Sequence, residues 1–376
     1  MASRMTLSVI KADVGSIGGH TKPTPEMIQV VQAELDNGIR SGTLIDGCVT
    51  HTGDDIAMIM SHKNGVGAPV VHLDIAWKAF MAATGVAREQ GNYGAGQDLL
   101  VDAPSGNVRG AGPAVAEIEF DVFPSYRPAE SFAVFAADKC GPGAYNLPLY
   151  LAFCDPMHNG GLLLNPRLHE GFTITIIDMD AKEGDRVIKL DVPERAWDVC
   201  ALLREMDRFA IESIHSRAVP DEQIVSASAT RLHNIAGKYT GKDDPIALVR
   251  NQGIFPAPEE IIEPYLIGHY VTGDARGSHT MPIMPVAINT PVSGFFCLPI
   301  VSCIGFSMDG EGHFSRNYVD FFGDMTWDST RLHVQRKAEE IRRQGFFGVA
   351  MAAESEIAYT GLVDTMNKLD AEFYSR

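Results

Sequence analysis

The segment from Gly42 to His62 limits the fold of this chain more than any other stretch. Its two halves, "GTLIDGCVTH" and "IAMIMSH", both read as β-strands, and the short turn "TGDD" joins them. A connection this short makes two neighbouring strands antiparallel. Along the rest of the chain, predicted strands and helices alternate irregularly. We therefore expect an α+β fold in which helices cover sheet in layers, rather than a purely parallel wound sheet.

Other elements are predicted from local patterns. Residues 25–38 are predicted to form a helix, because Thr24 is a suitable N-cap and Pro25 suits the first helical position. Residues 69–90 form a second predicted helix. The remaining predicted strands cover residues 6–12, 131–138, 172–180, 186–192 and 244–253, and the remaining predicted helices cover residues 195–215, 328–344 and 355–373.

The composition favours one cytoplasmic domain over residues 1–376. There is no internal repeat, low-complexity tract or linker, and the six cysteines show no CxxC spacing. The formal net charge of −17 argues against a nucleic-acid surface, which needs clustered Lys and Arg. The first residues read directly into a strand, without a signal-peptide pattern. No uninterrupted apolar run reaches the length of about 18 residues that a membrane span needs, so we expect no membrane partner.

Acidic residues stand where predicted strands begin or end. They are Asp13, Asp54, Asp55, Asp138, Asp243 and Asp244. Brought together at one edge of a sheet, these carboxylates would repel one another strongly unless metal cations lay between them. Oxygen ligands favour hard ions, Mg²⁺ first and Mn²⁺ next. A single aspartate at a strand end is more often a turn residue, so the residues alone leave both interpretations open.

The stretch "GKYTGKDDP", residues 237–245, raises a question of charge. A lysine that does covalent chemistry reacts as a neutral amine, but two aspartates follow Lys242 and should raise its pKa. Either Lys242 is part of an ordinary surface ion pair, or bound cations offset the two carboxylates. The spacing is not that of a P-loop. Tyr239 is a candidate general acid or base, or simply a residue at the edge of the core.

Glycine-rich loops offer candidate phosphate sites. The loop "PSGNVRGAGP", residues 104–113, can present main-chain N–H groups, and Arg109 adds a positive charge. Lys139 follows a predicted strand end, and Arg276 lies in the glycine-flanked loop "ARGSH". Tyr359 is a further candidate acid or base. A plain turn or an exposed ion pair explains each of these features equally well.

Taken together and in order, the motifs resemble one known family. They are "SVIKADVGSIGGH", "THTGDD", "YGAGQDLL", "SGNVRG", "GPGAYNLPL", "RLHNIAGKYTGKDDP", "RGSH" and "YTGL". They resemble the bifunctional fructose-1,6-bisphosphate aldolase/phosphatase of archaea and deep-branching bacteria. The resemblance implies joining of dihydroxyacetone phosphate and glyceraldehyde 3-phosphate into fructose 1,6-bisphosphate. Hydrolysis of the 1-phosphate would then give fructose 6-phosphate for gluconeogenesis.

The resemblance also implies an architecture and individual residue roles. The family fold is an α-β-β-α sandwich, with two sheets flanked by helices, assembled as a homo-octamer. Lys242 matches the lysine that forms the Schiff base, and Tyr239 matches the tyrosine that moves the proton. The residues that match Mg²⁺ ligands are Asp13, His20, Asp54, Asp55, Gln97, Asp138, Asp243 and Asp244. The residues that match substrate contacts are His20, Tyr93, Ser105, Gly106, Lys139, Gln252, Arg276 and Tyr359.

Two places depart from the family pattern. Cys297 stands where the family has an aspartate that contacts the sugar, and Cys140 with Gly141 replaces a Thr-Glu pair. Neither change removes a residue that matches a metal ligand or the lysine. Two further interpretations stay open. One is a Mg²⁺-dependent sugar bisphosphatase with weak or no aldolase activity, and the other is a noncatalytic metal- or phosphate-binding protein.

Overall fold

The structure, a computed structural model, describes most of the chain. The described residues are 4–99, 112–122, 130–181, 185–227, 242–253, 255–272, 280–292, 298–343 and 361–375. Eight helices lie within these residues: α1 Pro25–Arg40, α2 Pro69–Glu89, α3 Asn146–Cys154, α4 Gly161–Leu164, α5 Ala196–Leu203, α6 Pro258–Ile262, α7 Asp328–Arg343 and α8 Leu362–Asp370.

A four-stranded antiparallel sheet forms the first layer of strands. Its strands are β1 Arg4–Asp13, β2 Asp46–Thr52, β3 Asp55–His62 and β4 Ala114–Asp121, in the order β2-β3-β1-β4. The register of β1 and β3 places Asp13 opposite Asp55. Helices α1 and α2 cover one face of this sheet, with Val31 and Phe80 fully buried in the same cluster as Ile10.

A ten-stranded sheet forms the second layer. Its strands are β5 Glu130–Asp138, β6 Phe172–Asp178, β7 Arg186–Val192, β8 Phe209–Ser216, β9 Gln223–Ala227, β10 Ile246–Asn251, β13 Met284–Pro285, β14 Ile300–Met308, β15 Val319–Asp320 and β16 Tyr374–Ser375. The order is β13-β14-β5-β10-β9-β8-β6-β7-β16, with β15 paired to β14. A separate hairpin is formed by β11 Tyr270–Thr272 and β12 Thr280–Pro282.

The two sheets pack face to face through an apolar layer. Leu7 and Val9 of β1 lie in one cluster with Phe132 of β5, Leu248 of β10 and Phe306 of β14. The far face of the larger sheet is covered by helices α3, α5 and α8, through an extensive apolar cluster. The order of layers is therefore helix, sheet, sheet, helix, which confirms the α+β prediction of sheets flanked by helices.

Several local predictions are confirmed at their predicted positions. The Thr24 side chain accepts a hydrogen bond from Met27 N, and Pro25 begins α1. The hairpin of β2 and β3 turns at Gly53 and Asp54. Strands β1, β5, β6, β7 and β10 lie where the sequence predicts them.

The predicted helix over 195–215 is wrong in its second half. Helix α5 ends at Leu203, and Phe209–Ser216 is strand β8. Pairing with β6 on one side and β9 on the other outweighs the helical spacing of the apolar residues. Helix α8 covers only the second part of the prediction for 355–373, whose residues 355–360 lie outside the described chain.

One helix is long and apolar enough to cross a membrane, judged by length and composition alone. Within the described residues, Pro69–Glu89 has a mean hydropathy of 1.2 over its most apolar window, half of which is buried. Asp74 and Lys78 interrupt this segment, so it did not count as an apolar run in the sequence. Val71 and Phe80 are fully buried, which is the pattern of a helix packed on a protein core.

Candidate active site

Strands from both sheets bring their acidic ends together. Asp13 ends β1, Asp54 and Asp55 stand at the turn into β3, and Asp138 ends β5. The main-chain N–H of Asp54 donates to Asp138 Oδ2 at 3.2 Å, which joins the two sheets. Gly53 makes this approach possible, because a Cβ there would lie 1.5 Å from Asp138 Oδ2. The site is therefore built across the interface of the two sheets.

Buried carboxylates outnumber buried lysines in this region. The aspartates are Asp13, Asp54, Asp55, Asp98, Asp138 and Asp244, and the lysines are Lys11, Lys139 and Lys242. Lys139 Nζ lies 2.5 Å from Asp54 Oδ1 and 2.8 Å from Asp138 Oδ1. Lys11 forms a buried ion pair with Asp55. If every one of these groups were ionised, the carboxylates would exceed the lysines by three charges among the described residues, so this cluster attracts cations.

The carboxyl pKa values follow from this crowding. Burial, and then the charges of Asp54 and Asp55, raise the pKa of Asp13 well above its usual range. Burial raises the pKa of Asp138 in the same way, and Lys139 only partly offsets it. Burial also acts to raise the pKa of Asp54, but Lys139 and a hydrogen bond from His20 outweigh it and lower that pKa.

The cluster has a donor set that fits divalent metal ions. Asp13, His20 and Asp54 form one group whose ligand atoms lie within 4.8 Å of one another, and Asp54, Asp55 and Asp138 form a second. Two buried oxygens of predicted metal ligands, Asp55 Oδ1 and Gln97 Oε1, have no hydrogen-bond partner within the described part of the chain. Oxygen-rich sites with one imidazole suit hard or borderline divalent cations.

Asp243 and Asp244 belong to neither of those two groups, although the charge of Asp244 contributes to the raised pKa of Asp138. Asp244 is buried and Asp243 is half-buried. Asp244 Oδ1 accepts a hydrogen bond from Cys140 N at 2.7 Å, and Asp244 N donates to Cys140 O at 2.7 Å. Both Asp244 (φ 52°) and Lys139 (φ 60°) have left-handed backbone conformations. Such strain is uncommon outside glycine and gathers at functional sites.

The departure at Cys140 and Gly141 is explained by these contacts. Cys140 holds Asp244 through its main chain, which does not depend on the identity of the side chain. Burial raises the pKa of the Cys140 thiol well above its usual range. A Cβ on Gly141 would lie 2.2 Å from Thr272 Oγ1, so this chain needs a glycine there.

Lys242 is buried beside an aspartate that the sequence analysis did not single out. Its Nζ lies 3.8 Å from Asp98 Oδ2, and it also donates to the main-chain oxygen of Asp243. Burial acts to lower the pKa of Lys242, but Asp98, then Asp244 and Asp55, outweigh burial and raise it. The pKa of Lys242 is therefore raised, as the sequence predicts. The largest charge contribution comes from Asp98, however, and not from Asp243 and Asp244.

Two residues of the site, Asp98 and Lys11, were not among the predicted site residues, although the sequence carries a signal for each. Asp98 follows Gln97 in the motif "YGAGQDLL", and Lys11 lies two residues before Asp13 on the same face of β1. For Lys11, the only sequence signal is the two-residue alternation of side chains along a strand. Reading β1 with period two would have placed Lys11 at the site.

The predicted substrate contacts are only partly within the described residues. The rings of His20 and Tyr93 meet edge to face at 4.8 Å, and Ser16 pairs with Tyr93 through main-chain hydrogen bonds of 2.9 and 3.0 Å. Gln252 follows β10, at the end opposite Asp244, about 25 Å along the strand. Tyr239, Ser105, Gly106, Arg276, Tyr359 and Cys297 lie outside the described residues.

Comparison with known proteins agrees with the motifs. A family model described as fructose-1,6-bisphosphatase matches residues 4–374. A protein of Thermus thermophilus named fructose-1,6-bisphosphate aldolase/phosphatase is 52% identical over 370 residues, covering 98% of this chain and 99% of the relative. This chain belongs to the fructose-1,6-bisphosphate aldolase/phosphatase family. Relatives of that name from Cenarchaeum symbiosum and Moorella thermoacetica are 45% and 41% identical, covering 98% and 99% of this chain and 94% and 95% of the relatives.

Membership of the fructose-1,6-bisphosphate aldolase/phosphatase family confirms the resemblance drawn from the motifs. It also agrees with the acidic cluster as a site for divalent metal. The match runs through both sheets and nearly the whole chain, so the shared features extend well beyond the site.

Proposed function

We propose that this chain joins dihydroxyacetone phosphate and glyceraldehyde 3-phosphate into fructose 1,6-bisphosphate and then hydrolyses the 1-phosphate. One observation carries the proposal: a buried lysine, Lys242, shares one site with the acidic cluster that suits divalent metal. A lysine supplies the amine for carbon–carbon bond formation, and an acidic cluster supplies a metal site for phosphate hydrolysis. The relatives named aldolase/phosphatase support the pairing of the two reactions.

In the proposed aldol half-reaction, Lys242 acts as the nucleophile. Its amine would attack the ketone carbon of dihydroxyacetone phosphate, and the adduct would lose water to form an iminium. The iminium withdraws electrons from the neighbouring carbon. Tyr239 would take the proton from that carbon and return a proton to the aldehyde oxygen as the new bond forms. Water would then hydrolyse the iminium, which releases fructose 1,6-bisphosphate and returns the free amine of Lys242. Lys242 must first lose its own proton, which the carboxylates around it oppose.

In the proposed phosphatase half-reaction, the acidic cluster would hold Mg²⁺, with Mn²⁺ as an alternative. The residues that would hold it are Asp13, His20, Asp54, Asp55, Gln97, Asp138, Asp243 and Asp244. When bound, such ions neutralise phosphoryl oxygens, activate water and stabilise the leaving alkoxide. Lys139, already within the cluster, would contact the phosphate, together with the other proposed substrate residues: His20, Tyr93, Ser105, Gly106, Gln252, Arg276 and Tyr359.

A narrower function is favoured by one specific observation. The contact between Asp98 and Lys242 stabilises the ammonium form of the lysine, which is not nucleophilic. A Mg²⁺-dependent bisphosphatase without aldolase activity would have no need to release that proton. The proposal of both activities requires that the positive charge of bound metal offset the carboxylates around Lys242.

We further propose a single domain over residues 1–376, a cytoplasmic location and assembly into a homo-oligomer, as an octamer. In that assembly, the proposed substrate residue Gln252 lies at the far end of β10 from Asp244 of its own chain. Gln252 would then contact the substrate of a neighbouring copy rather than that of its own chain. The oligomeric state can be measured by sedimentation equilibrium.

The proposed function is tested with Mg²⁺ in two parallel samples. One is supplied with both triose phosphates and followed for two products, and the other is supplied with fructose 1,6-bisphosphate and followed for phosphate release. The account predicts fructose 6-phosphate and inorganic phosphate in equal amounts. Phosphate release from fructose 1,6-bisphosphate without any condensation of the trioses would contradict the aldolase activity and support the bisphosphatase function alone. Absence of both reactions, or phosphate release that does not need divalent metal, would contradict the enzyme assignment as a whole.

A further inference from the structure

Asp98 connects the lysine to the strand that ends in Asp13. Its Oδ2 accepts a hydrogen bond from Asp13 N at 2.9 Å, and its own main-chain N–H donates to Asp13 O at 3.0 Å. Its Oδ1 accepts from Gly112 N at 3.1 Å. The carboxylate is only 6% exposed, so these main-chain donors fix both of its oxygens.

The same oxygen that binds Asp13 N also faces the lysine. Lys242 Nζ lies 3.8 Å from Asp98 Oδ2 and is itself only 2% exposed. A lysine side chain has four rotatable bonds and no fixed direction of its own. A buried carboxylate that cannot rotate gives the ammonium a defined place beside Asp13.

We infer that Asp98 is a positioning residue that holds the Lys242 amine in place relative to the Asp13 end of the acidic cluster. The inference rests on the proposed function, because it concerns the lysine that would form the Schiff base. Asp98 pairs with the Lys242 ammonium and, in this inference, contacts neither the substrate nor the metal. Its effect on the reaction comes through the location of Nζ.

A positioning role for Asp98 and a role through its charge alone predict opposite effects of the substitution Asp98→Asn. If Asp98 acted only by raising the pKa of Lys242, Asp98→Asn would leave more neutral amine and make Schiff-base formation faster. If Asp98 positions the amine, the same substitution makes it slower, since displacing a reacting group by about 1 Å can cost about 10²-fold in rate. Asp98→Glu keeps the charge but moves the carboxylate, and positioning predicts that it is slow as well.

The experiment measures borohydride trapping of dihydroxyacetone phosphate on the full chain with Mg²⁺, together with hydrolysis of fructose 1,6-bisphosphate in the same preparation. For Asp98→Asn we expect trapping to fall by about 10²-fold. Hydrolysis should fall by less than about five-fold, the scale of one ordinary hydrogen bond, because β3 also pairs with Asp13. Because both rates scale with the amount of folded protein, their ratio does not change when part of the variant is unfolded.

Glu117→Gln is the matched control. Glu117, in strand β4, is a similarly buried carboxylate, 8% exposed, and it too accepts a hydrogen bond from a main-chain N–H, that of Gly67, at 2.7 Å. Its variant should leave the ratio of trapping to hydrolysis unchanged. A wild-type trapping rate or a faster one in Asp98→Asn, or equal losses of trapping and hydrolysis, would overturn the positioning role. Absence of trapping in the wild type would instead overturn the proposed aldolase activity.

Discussion

The main-chain N–H of Asp54 lies 3.2 Å from Asp138 Oδ2 and donates a hydrogen bond to it, although 84 residues separate the two in the chain. Asp54 belongs to the hairpin of the four-stranded sheet, and Asp138 ends a strand of the larger sheet. Each sheet therefore supplies part of the acidic cluster. The site exists only while the two sheets keep this contact.

Gly53→Ala should damage the site through that contact. The new Cβ would lie 1.5 Å from Asp138 Oδ2, so the turn or the carboxylate has to move. Both proposed activities should fall together, by about 10²-fold, which is the cost of a displacement of about 1 Å. Initial rates of condensation and of phosphate release measure this.

Gly42→Ala is the control for that substitution. Gly42 also has a left-handed backbone, with φ 76°, but a Cβ there meets no atom within 4 Å. Its variant bears the backbone strain without the collision, and should keep wild-type activity. Equal losses in the two variants would show that strain alone, and not the approach to Asp138, explains the glycine.

Lys242→Met should separate the two proposed activities. Aldol condensation and borohydride trapping should fall below detection, because only these steps need the amine. Phosphate release from fructose 1,6-bisphosphate should stay within about ten-fold of wild type, since the lost contacts are one hydrogen bond to Asp243 O and the ion pair with Asp98. Lys78→Met, at an exposed lysine paired with Glu34 at 2.8 Å, should change neither activity. Equal loss of both activities in folded Lys242→Met would contradict separate roles.

Asp54→Ala and Asp55→Ala should weaken metal binding. Each removes a carboxylate of the group formed with Asp138, so the Mg²⁺ concentration for half-maximal phosphate release should rise at least about ten-fold. Thermal unfolding gives an independent readout, because a metal that binds only the folded chain raises the melting temperature. Asp328→Ala, at an exposed carboxylate, serves as control. Full phosphatase activity of the variants at low Mg²⁺ would count against these ligands.

Sequence reasoning located the parts of the site that lie next to predicted strand ends. The hairpin of β2 and β3 and the end of β1 follow from local patterns, so Asp13, Asp54 and Asp55 could be placed together. Asp138 was predicted in the same cluster, but at one edge of a single sheet. The hydrogen bond from Asp54 to Asp138 across two sheets could not be predicted, because strands from different sheets carry no local signal for each other. The motif "YGAGQDLL" places Asp98 beside Gln97, but the role of Asp98 depends on contacts with Asp13 and Lys242, which are distant in the chain.

Strand β8 shows why part of the fold was misread. Residues Phe209–Ser216 have apolar side chains at spacings that fit a helix or a strand, and β6 and β9 on either side decide the outcome. Tertiary pairing of this kind outweighs local propensity. Helix α1 was predicted well because its N-cap Thr24 and Pro25 act locally.

His269 should make the folded chain sensitive to acid. It is buried at 4% exposure, its Nε2 donates a hydrogen bond to Ala144 O at 3.0 Å, and its pKa is lowered to about 4, mainly by burial. A lowered histidine pKa means that the unfolded chain binds the proton first, so stability is lost as pH falls from about 6.5 towards 4. The wild type should lose roughly 2–3 kcal/mol from this residue between about pH 7 and pH 4.5.

The matching measurement is the free energy of unfolding in urea at both pH values for the wild type and His269→Gln. The variant should show a smaller loss on acidification, whatever its stability at neutral pH. His62, whose pKa is also lowered to about 4, is present in both proteins and contributes equally to both. Identical pH dependence of the two proteins would refute the assignment to His269.

The central claim, one site for both reactions, is tested most directly by a crystal structure with dihydroxyacetone phosphate and Mg²⁺. The account predicts Lys242 Nζ bonded to the former ketone carbon, with metal held by Asp54, Asp55 and Asp138 in the same cavity. Dihydroxyacetone phosphate bound out of reach of Lys242, or metal bound away from these aspartates, would contradict it.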